Sequence, residues 1–193
     1  MILTNGVKTM DVRQHLVERH MNTTKYAVSW DDETACFLLF DLSGRLVGYQ
    51  QYRPHAPKTM RNDPRDGRYY TYFTGTKAEK QFSVWGLETW NYSPSVLFVT
   101  EGIFDAVRLH NLGYSAVAVL SNDPKFLRNW LFMVRQQRTV VVVCDDDAAG
   151  RKLAKFGTLA LVASGSKDLG DMSDDEVIKT VAALSLPAYD SNK

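Results

Sequence analysis

Acidic residues that follow two apolar runs are the residues of this sequence best suited to chemistry. Glu101 follows "VLFVT", and Asp145 and Asp147 follow "VVVVC". Side chains alternate between faces along an extended strand, so Asp145 and Asp147 are expected to point to the same side. Asp105 lies about one helical turn beyond Glu101 and is expected to lean towards the same crevice. An all-oxygen set of this kind favours Mg²⁺ or Mn²⁺ over zinc or copper.

The same aspartates would also suit the start of a helix. There a carboxylate accepts a backbone hydrogen bond and complements the helix dipole. We favour this alternative for Asp146 alone, and metal ligation for Asp145 and Asp147 together with Glu101. Mg²⁺ usually takes one or two carboxylates plus substrate phosphate oxygens, so an incomplete ligand set is typical of a phosphoryl-transfer site.

The elements that must position these acids are predicted from hydrophobic patterning. Beyond residue 94, solid apolar runs alternate with helical segments, which predicts a parallel sheet covered on both faces. The predicted strands are "SVLFVTEG", "SAVAVL", "TVVVVC" and "ALVAS". The predicted helices are "IFDAVRLHNLG", "DPKFLRNWLFMVRQ" and "AAGRKLAKFGTLA", and the small residues of the last are expected to allow close approach of substrate or metal. In such a sheet, functional residues follow the carboxyl ends of the strands.

The part of the chain before residue 95 has a different hydrophobic pattern. A short amphipathic helix is predicted in "MDVRQHLVERH", followed by β-rich runs and by a proline-containing loop over residues 54–66. The runs are "KYAVSW", "ACFLLFD", "RLVGYQQYR" and "RYYTYF", with a turn at "DLSGR". We therefore predict a small α+β lobe over residues 1–94, an α/β domain over 95–185 and a C-terminal tail over 186–193.

Charge is unevenly distributed although the net charge is only +1. Between Arg45 and Lys80 there are eight basic and three acidic residues, whereas the segments around Asp145 and Asp168 are acidic. A basic lobe beside an acidic site suits the handling of a polyanion.

Several classes of protein are disfavoured by composition. Cys36 and Cys144 are the only cysteines, so neither a disulfide framework nor a structural zinc site is indicated. No apolar run reaches about 18 residues, and the N-terminal residues lack the pattern of a secretory signal. We expect a soluble, cytoplasmic protein without a membrane partner.

Three motifs together resemble the TOPRIM domain shared by DnaG-type primases, phage primase-helicases, topoisomerases and certain nucleases. They are "VTEGIFDAVRLHNLGYSAVAVL", "VVVVCDDDAAGRKLA" and "GSKDLGD". Upstream, "FLLFDLSGRLVGYQQYRP", "RYYTYF" and "VWGLE" resemble the N-terminal subdomain of primase catalytic cores. The resemblance covers about residues 25–175.

The resemblance implies roles for individual residues. Glu101 would be the catalytic acid/base or a metal ligand, and Asp145 and Asp147 would be metal ligands. Asp105, Asp168 and Asp171 would support the ions or the incoming nucleotide, and Lys167 would meet its triphosphate. The alternative for "SKDLGD", which contains Lys167, Asp168 and Asp171, is a solvated acidic loop. Nucleic-acid contacts would come from Arg53, Lys58, Arg61, Arg65, Arg68, Lys77 and Lys80, with Tyr52, Tyr69, Tyr70 and Tyr72 either stacking on bases or packing within strands.

The function implied is that of a small primase, a nucleotidyltransferase that uses nucleoside triphosphates and Mg²⁺ or Mn²⁺ to make short RNA primers on single-stranded DNA. The sequence has no zinc-binding or helicase module, so a helicase or a separate template-recognition protein is the expected partner, and a phage or mobile element is the expected source. The alternative is a TOPRIM metal-dependent nuclease or a catalytically idle nucleic-acid-binding replication factor. A topoisomerase is disfavoured because 193 residues leave little room for strand-passage domains.

Overall fold

The structure is a computed structural model that describes residues 11–58, 62–75, 82–121, 123–145, 147–163 and 168–184. Its residues form two compact units. One contains the residues up to Leu38 together with Tyr49–Tyr72, and the other contains Leu39–Gly48 and the residues from Phe73 onward. None of the helices in the described ranges is long and apolar enough to cross a bilayer.

The N-terminal elements are one helix and an antiparallel sheet. Helix α1 (Val12–Glu18) starts at Asp11, whose carboxylate accepts a hydrogen bond from the backbone N–H of Arg13, and it buries Val12 and Leu16 as its amphipathic pattern predicts. The strands run in the order β1-β2-β3-β4, and a short β5 also pairs with β2. Their bounds are Val28–Trp30 (β1), Ala35–Asp41 (β2), Leu46–Tyr52 (β3), Tyr69–Phe73 (β4) and Ser83–Val84 (β5).

The turn between β2 and β3 is organised by a buried carboxylate. Asp41 accepts hydrogen bonds from the hydroxyl (2.6 Å) and N–H (2.9 Å) of Ser43 and from the N–H (3.0 Å) and guanidinium (2.8 Å) of Arg45. These bonds, that of the Ser43 hydroxyl first, hold the pKa of Asp41 well below its usual range. Gly44 completes the turn with a φ of 81°, which glycine adopts without strain. The predicted "DLSGR" turn is confirmed.

Residues 83–85 join the antiparallel sheet to a second sheet. Val84 of β5 lies opposite Phe40 in an antiparallel ladder. The next residue, Trp85, exchanges two backbone hydrogen bonds of 2.9 Å with Ala118, in a strand of the second sheet.

The second sheet is parallel throughout and has the strand order β7-β6-β8-β9. Its strands are β6 (Val96–Thr100), β7 (Ala116–Ala118), β8 (Thr139–Asp145) and β9 (Leu159–Ala163). They alternate with helices α2 (Ile103–Asn111), α3 (Arg128–Arg135) and α4 (Ala148–Ala154), and α5 (Asp174–Ala182) follows. The predicted α/β class with a parallel sheet is confirmed.

One face of this sheet is covered by α3 and α4. Val99 and Val142 from the central strands pack with Leu131 and Val134 of α3 and with Leu153 of α4 in one buried cluster. Because side chains alternate along a strand, the neighbours of these valines point to the opposite face.

Two helix predictions need correction. The predicted helix over "AAGRKLAKFGTLA" is too long, because α4 ends at Ala154 and Leu159 already pairs with β8. A Cβ on Gly157 would overlap the carbonyl oxygen of Leu159 and lie 2.8 Å from Val142, so the chain turns tightly there. Helix α5 was not predicted, although Ser173 and Glu176 form the reciprocal capping box that marks a helix start.

Candidate active site

The predicted catalytic acids lie at one edge of the parallel sheet. The central strands β6 and β8 are neighbours, with Val99 opposite Val142, so their carboxyl ends lie side by side. Glu101 follows β6, Asp145 ends β8, and both side chains are exposed. The sheet therefore presents these two carboxylates to solvent at the edge where ligands bind in open α/β sheets.

The backbone around Glu101 is fixed by the neighbouring strand. Its carbonyl oxygen accepts a 3.0 Å hydrogen bond from the N–H of Leu120, just beyond β7. Leu120 has a φ of 56°, a left-handed conformation that is rare for a side chain of this size. Strain of this kind clusters at functional sites. No sequence pattern signals it.

Asp147 has a structural contact of its own. Its Oδ1 accepts a 2.7 Å hydrogen bond from the N–H of Gly150, and Asp147 is thereby the N-cap of α4. Asp147, for which the sequence favoured metal ligation, thus makes a capping bond, whereas the capping prediction for Asp146 lies outside the described residues. A carboxylate offers about four acceptor positions, so one capping bond leaves capacity for a cation.

Asp105 connects α2 to the last predicted segment of the site. Its Oδ1 accepts a 2.9 Å hydrogen bond from the N–H of Gly170, which lies in a 3₁₀ turn, Leu169–Asp171. The turn follows Asp168, so Asp105 is brought together with the segment that carries Asp168 and Asp171. Lys167 lies outside the described residues.

Arg108 forms a second connection between α2 and this segment, one that the sequence analysis missed. It is 1% exposed, donates a 2.9 Å hydrogen bond to the carbonyl oxygen of Met172 and pairs with Asp174 at 2.5 Å. The signal available in the sequence was a charged residue in an otherwise apolar stretch of helix. Asp105 and Arg108 together hold the segment 168–174 against α2.

The predicted basic residues have mixed surroundings. Arg53 donates a 2.6 Å hydrogen bond to the carbonyl oxygen of Arg65, and Arg68 donates one of 3.2 Å to that of Ala56. Arg65 pairs with Asp63 at 2.6 Å, and this contact lowers the pKa of Asp63 to about 2. These three arginines thus organise the loop in which they lie.

Lys58 is exposed and makes no ion pair within the described part of the chain. Arg61, Lys77 and Lys80 lie outside that part. Among the candidate stacking residues, Tyr52 is buried against Tyr69 with ring centroids 5.0 Å apart, so it packs the strands, whereas Tyr69 and Tyr72 keep exposed faces.

The donor chemistry of the sheet edge suits a hard divalent cation. Glu101, Asp145 and Asp147 offer oxygen atoms. Within the ranges that the structure describes, no three His, Cys, Asp or Glu side chains lie close enough to hold one ion together. The exposed carboxylates of Glu101 and Asp145, at the ends of adjacent strands, thus offer oxygen donors to a divalent ion whose shell water can also enter.

Comparison with protein families identifies the segment that carries this edge. Residues 98–168, from the centre of β6 to Asp168 just before the 3₁₀ turn, match the Toprim-like family. We call residues 98–168 the Toprim-like domain, after the family that they match. The predicted TOPRIM resemblance is thereby confirmed, and the match includes Glu101, Asp105, Asp145 and Asp147. Comparison with curated protein sequences finds no match.

Solved structures extend the similarity to the upstream sheet. The catalytic core of DnaG superposes with a TM-score of 0.57 at 21% identity, covering 89% of this chain and 59% of that one. The DnaG primase catalytic domain bound to single-stranded DNA gives 0.55 at 20% identity, with coverages of 88% and 60%. The primase fragment of the bacteriophage T7 primase-helicase protein gives 0.56 at 17% identity, with coverages of 82% and 68%.

The Toprim-like domain and the preceding sheet thus share the fold of primase catalytic cores. The chain spans about three fifths of the length of the DnaG structures that it matches. Identities of 17–21% relate the folds alone, because one fold can carry different activities.

Proposed function

We propose that this chain is the core of a primase-like nucleotidyltransferase that makes short RNA primers on single-stranded DNA with Mg²⁺ or Mn²⁺. The observation that carries the proposal is the position of Glu101 and Asp145 at the carboxyl ends of two adjacent central strands, with Asp147 two residues further on. The Toprim-like match over these residues and the primase-core fold support it.

The reaction is the attack of a primer 3′-hydroxyl on the α-phosphate of an incoming nucleotide, which releases pyrophosphate. A bound divalent ion would lower the pKa of the hydroxyl and neutralise charge on the phosphates. Asp145 and Asp147 would hold ions at the sheet edge. Glu101 would accept the hydroxyl proton or serve as a further ligand. The exposure of the carboxylates suits both roles, because water and substrate must share the ligand shell.

The incoming nucleotide is assigned to the segment held by α2. Asp105 fixes the N–H of Gly170, and this bond would orient Asp168 and Asp171 towards the ions or the nucleotide. Lys167 would contact the triphosphate. Phosphoryl transfer depends largely on positioning and electrostatics, so a segment attached to the helix that follows Glu101 suits this role.

The template would contact the lobe that precedes the Toprim-like domain. Lys58 is an exposed candidate, and Arg61, Lys77 and Lys80 complete the proposed set with Arg53, Arg65 and Arg68. The proposal keeps the predicted division into residues 1–94, 95–185 and 186–193. It also includes a helicase or separate template-recognition protein as partner, a phage or bacterial setting and action in the cytoplasm.

The test is a synthesis assay with purified protein, a single-stranded DNA oligonucleotide, labelled ribonucleotides and either MgCl₂ or MnCl₂. Denaturing gels would resolve both RNA products and cleaved template. We expect Glu101→Gln and Asp145→Asn to abolish synthesis. The matched control is Asp175→Asn, which removes one exposed carboxylate from the first turn of α5 and is expected to keep it.

Other outcomes would replace the proposal. Template cleavage without synthesis, lost in the same two variants, would identify a nuclease. Binding of single-stranded DNA with neither product, in both metals, would identify a nucleic-acid-binding factor without catalysis.

A further inference from the structure

An open groove of about 480 Å³ lies between α3 and α4. Its apolar lining includes Leu131 and Phe156, which belong to the core of this face of the sheet. Five basic residues also line it: Lys125, Arg128, Arg135, Lys152 and Lys155. We call this feature the α3–α4 groove.

The charge of the α3–α4 groove is largely uncompensated. Among the described residues that line it, Asp123 is the one acidic residue, and it pairs with Lys125 at 3.1 Å. The remaining four basic side chains are exposed, and within the described residues they form no ion pair or side-chain hydrogen bond. Cations gathered in a concave surface raise the local concentration of anions. The groove is therefore suited to an anionic ligand.

Helical spacing arranges these charges in two rows. Arg128 and Arg135 are seven residues apart on α3, about two turns, and so share one face. Lys152 and Lys155 are three residues apart at the end of α4 and are neighbours on its surface. Two rows of cations facing a common groove match a ligand with repeated phosphates better than a single small anion.

An aromatic side chain lies within the row on α3. Phe132 is four residues after Arg128 and three before Arg135, lines the groove and is 59% exposed. An exposed ring between cations is the arrangement by which proteins bind single strands, because bases stack on the ring while phosphates pair with the charges. A paired duplex would leave no base face available to the ring.

We propose that the α3–α4 groove binds single-stranded DNA, with phosphates contacting Arg128, Arg135, Lys152 and Lys155 and a base stacking on Phe132. The choice of DNA as the strand rests on the proposed function. Helix α4 begins directly after Asp147, so a strand in the groove passes along the helix that starts at the carboxylate edge. The groove would thereby add a second contact area for the template, on the Toprim-like domain itself.

The phosphate contacts are tested by fluorescence anisotropy with a 5′-labelled 20-nucleotide oligothymidine at several salt concentrations. Each lost contact on a single strand is expected to reduce the slope of log K against log salt by about 0.7, which is about a fivefold weaker affinity at 0.1 M salt. We expect these effects for Lys152→Ala and Lys155→Ala. Lys179→Ala removes an exposed lysine of α5 outside the groove and should bind like the unmodified chain.

The stacking contact is tested with adjacent residues of α3. Phe132→Ala is expected to weaken binding at least about fivefold without changing the salt slope. Met133→Ala is the control, because Met133 is 63% exposed but does not line the groove. Thermal unfolding of each variant verifies that these exposed substitutions leave the fold intact.

Unchanged binding in Lys152→Ala, Lys155→Ala and Phe132→Ala would overturn the inference, as would failure of the unmodified chain to bind the oligonucleotide. Displacement of the oligonucleotide by tripolyphosphate, with Phe132→Ala behaving normally, would also overturn it in favour of a small-anion site. The binding assay contains no nucleoside triphosphates and does not measure primer synthesis. Loss of the proposed primase activity would therefore leave the result on the groove standing.

Discussion

Gly150 of α4 packs directly on the backbone of Asp145 at the end of β8. A Cβ at position 150 would overlap the carbonyl oxygen of Asp145 and lie 2.9 Å from its carbonyl carbon. The N–H of Gly150 meanwhile donates to the Asp147 carboxylate. One glycine thus fixes the spatial relationship between the two aspartates that we propose as metal ligands.

Gly150→Ala is expected to displace the end of β8. Because the overlap is with backbone, it cannot be relieved by a side-chain rotation, and we expect the free energy of unfolding to fall by about 1–3 kcal/mol in urea titrations. Primer synthesis should be lost. In the control Gly113→Ala, the left-handed backbone is strained but a Cβ has nothing within 4 Å, so synthesis should persist. Equal activity in both variants would contradict the role of Gly150.

Sequence patterns predicted the parts of this fold that depend on local spacing. The solid apolar runs predicted β6 and β8, and the turn residues predicted the hairpin at Asp41, because burial on both faces and turn geometry leave direct traces in sequence. They also placed Glu101 and Asp145 at strand ends. The parallel register then put these ends at one edge without further information.

What the sequence did not predict depends on contacts between distant segments. Small residues at the start of α4 suggested room for a substrate, whereas Gly150 is required by the backbone of Asp145. The α3–α4 groove combines Arg128 with Lys152, which β8 separates along the chain. The burial of Arg108 depends likewise on residues more than sixty positions away. The hydrophobic periodicity of one helix or strand does not indicate which distant residues will contact it.

The bond from Asp105 to the N–H of Gly170 gives a prediction that separates positioning from metal ligation. A hydrogen bond to a carboxylate contributes about 1.5–3 kcal/mol, so Asp105→Ala should speed amide exchange at Gly170 at least about tenfold. Asp105→Asn retains a carbonyl acceptor and should change exchange much less. If Asp105 also ligates an ion, the Asn variant will lose synthesis while Gly170 stays protected. Unaltered exchange in Asp105→Ala would contradict the positioning role.

The buried guanidinium of Arg108 predicts an asymmetric response to mutation. Its Nε and Nη1 have no hydrogen-bond partner within the described residues, while its partner Asp174 is 66% exposed. Arg108→Ala should lower the free energy of unfolding by about 2–5 kcal/mol through the cavity left behind. Arg108→Met fills the space without a charge and should be near neutral, because a buried ion pair is often replaceable by apolar residues.

Asp174→Ala completes this test. Asp174→Ala leaves the buried guanidinium of Arg108 without its ion-pair partner and should lower the free energy of unfolding by about 1–3 kcal/mol. In the double variant with Arg108→Met, most of that loss should be absent. Asp175→Ala is the control, because it removes a neighbouring carboxylate of the same first turn and so measures the loss of stability due to the helix dipole alone. Additive effects in the double variant, measured by urea titration, would show that Arg108 and Asp174 do not interact.

His15 predicts a pH dependence of stability. Its Nε2 lies 2.7 Å from the Tyr52 hydroxyl, and its pKa is lowered from 6.5, first by burial and then by Arg19. The unfolded chain therefore binds a proton more readily than the folded one. The contribution of neutral His15 to stability is therefore present above about pH 7, begins to be lost as the pH falls below the unfolded pKa of 6.5, and goes on falling until the pH has passed the lower pKa of the folded state, with a slope of at most about 1.4 kcal/mol per pH unit.

Urea titrations between pH 5 and pH 8 measure this slope. His15→Gln retains hydrogen-bonding capacity towards Tyr52 but does not titrate, so it should remove this component of the slope. Glu18, His55 and Arg68 also act on the pKa of His15 and are left unchanged in the comparison. An identical slope in His15→Gln would assign the pH dependence to other groups.

Asp147 allows capping and ligation to be tested separately at one position. Serine is as good an N-cap as aspartate, so Asp147→Ser should retain the bond to the N–H of Gly150 and keep the free energy of unfolding within about 0.5 kcal/mol. Without a carboxylate, synthesis should fall by more than about 100-fold, beyond the usual effect of residues that only support a ligand. Asp147→Ala should lose synthesis and, in addition, about 1 kcal/mol of stability.

The neighbouring Asp146 supplies the contrast. It occupies the middle of the three aspartates, and we expect Asp146→Gly to retain synthesis. If Asp147→Ser remained active while Asp147→Ala was impaired only in proportion to its stability, Asp147 would be a cap alone. The proposed ion would then rest on Asp145 and Glu101, a pair that Mg²⁺ chemistry still permits because water and substrate phosphate can supply the remaining oxygens.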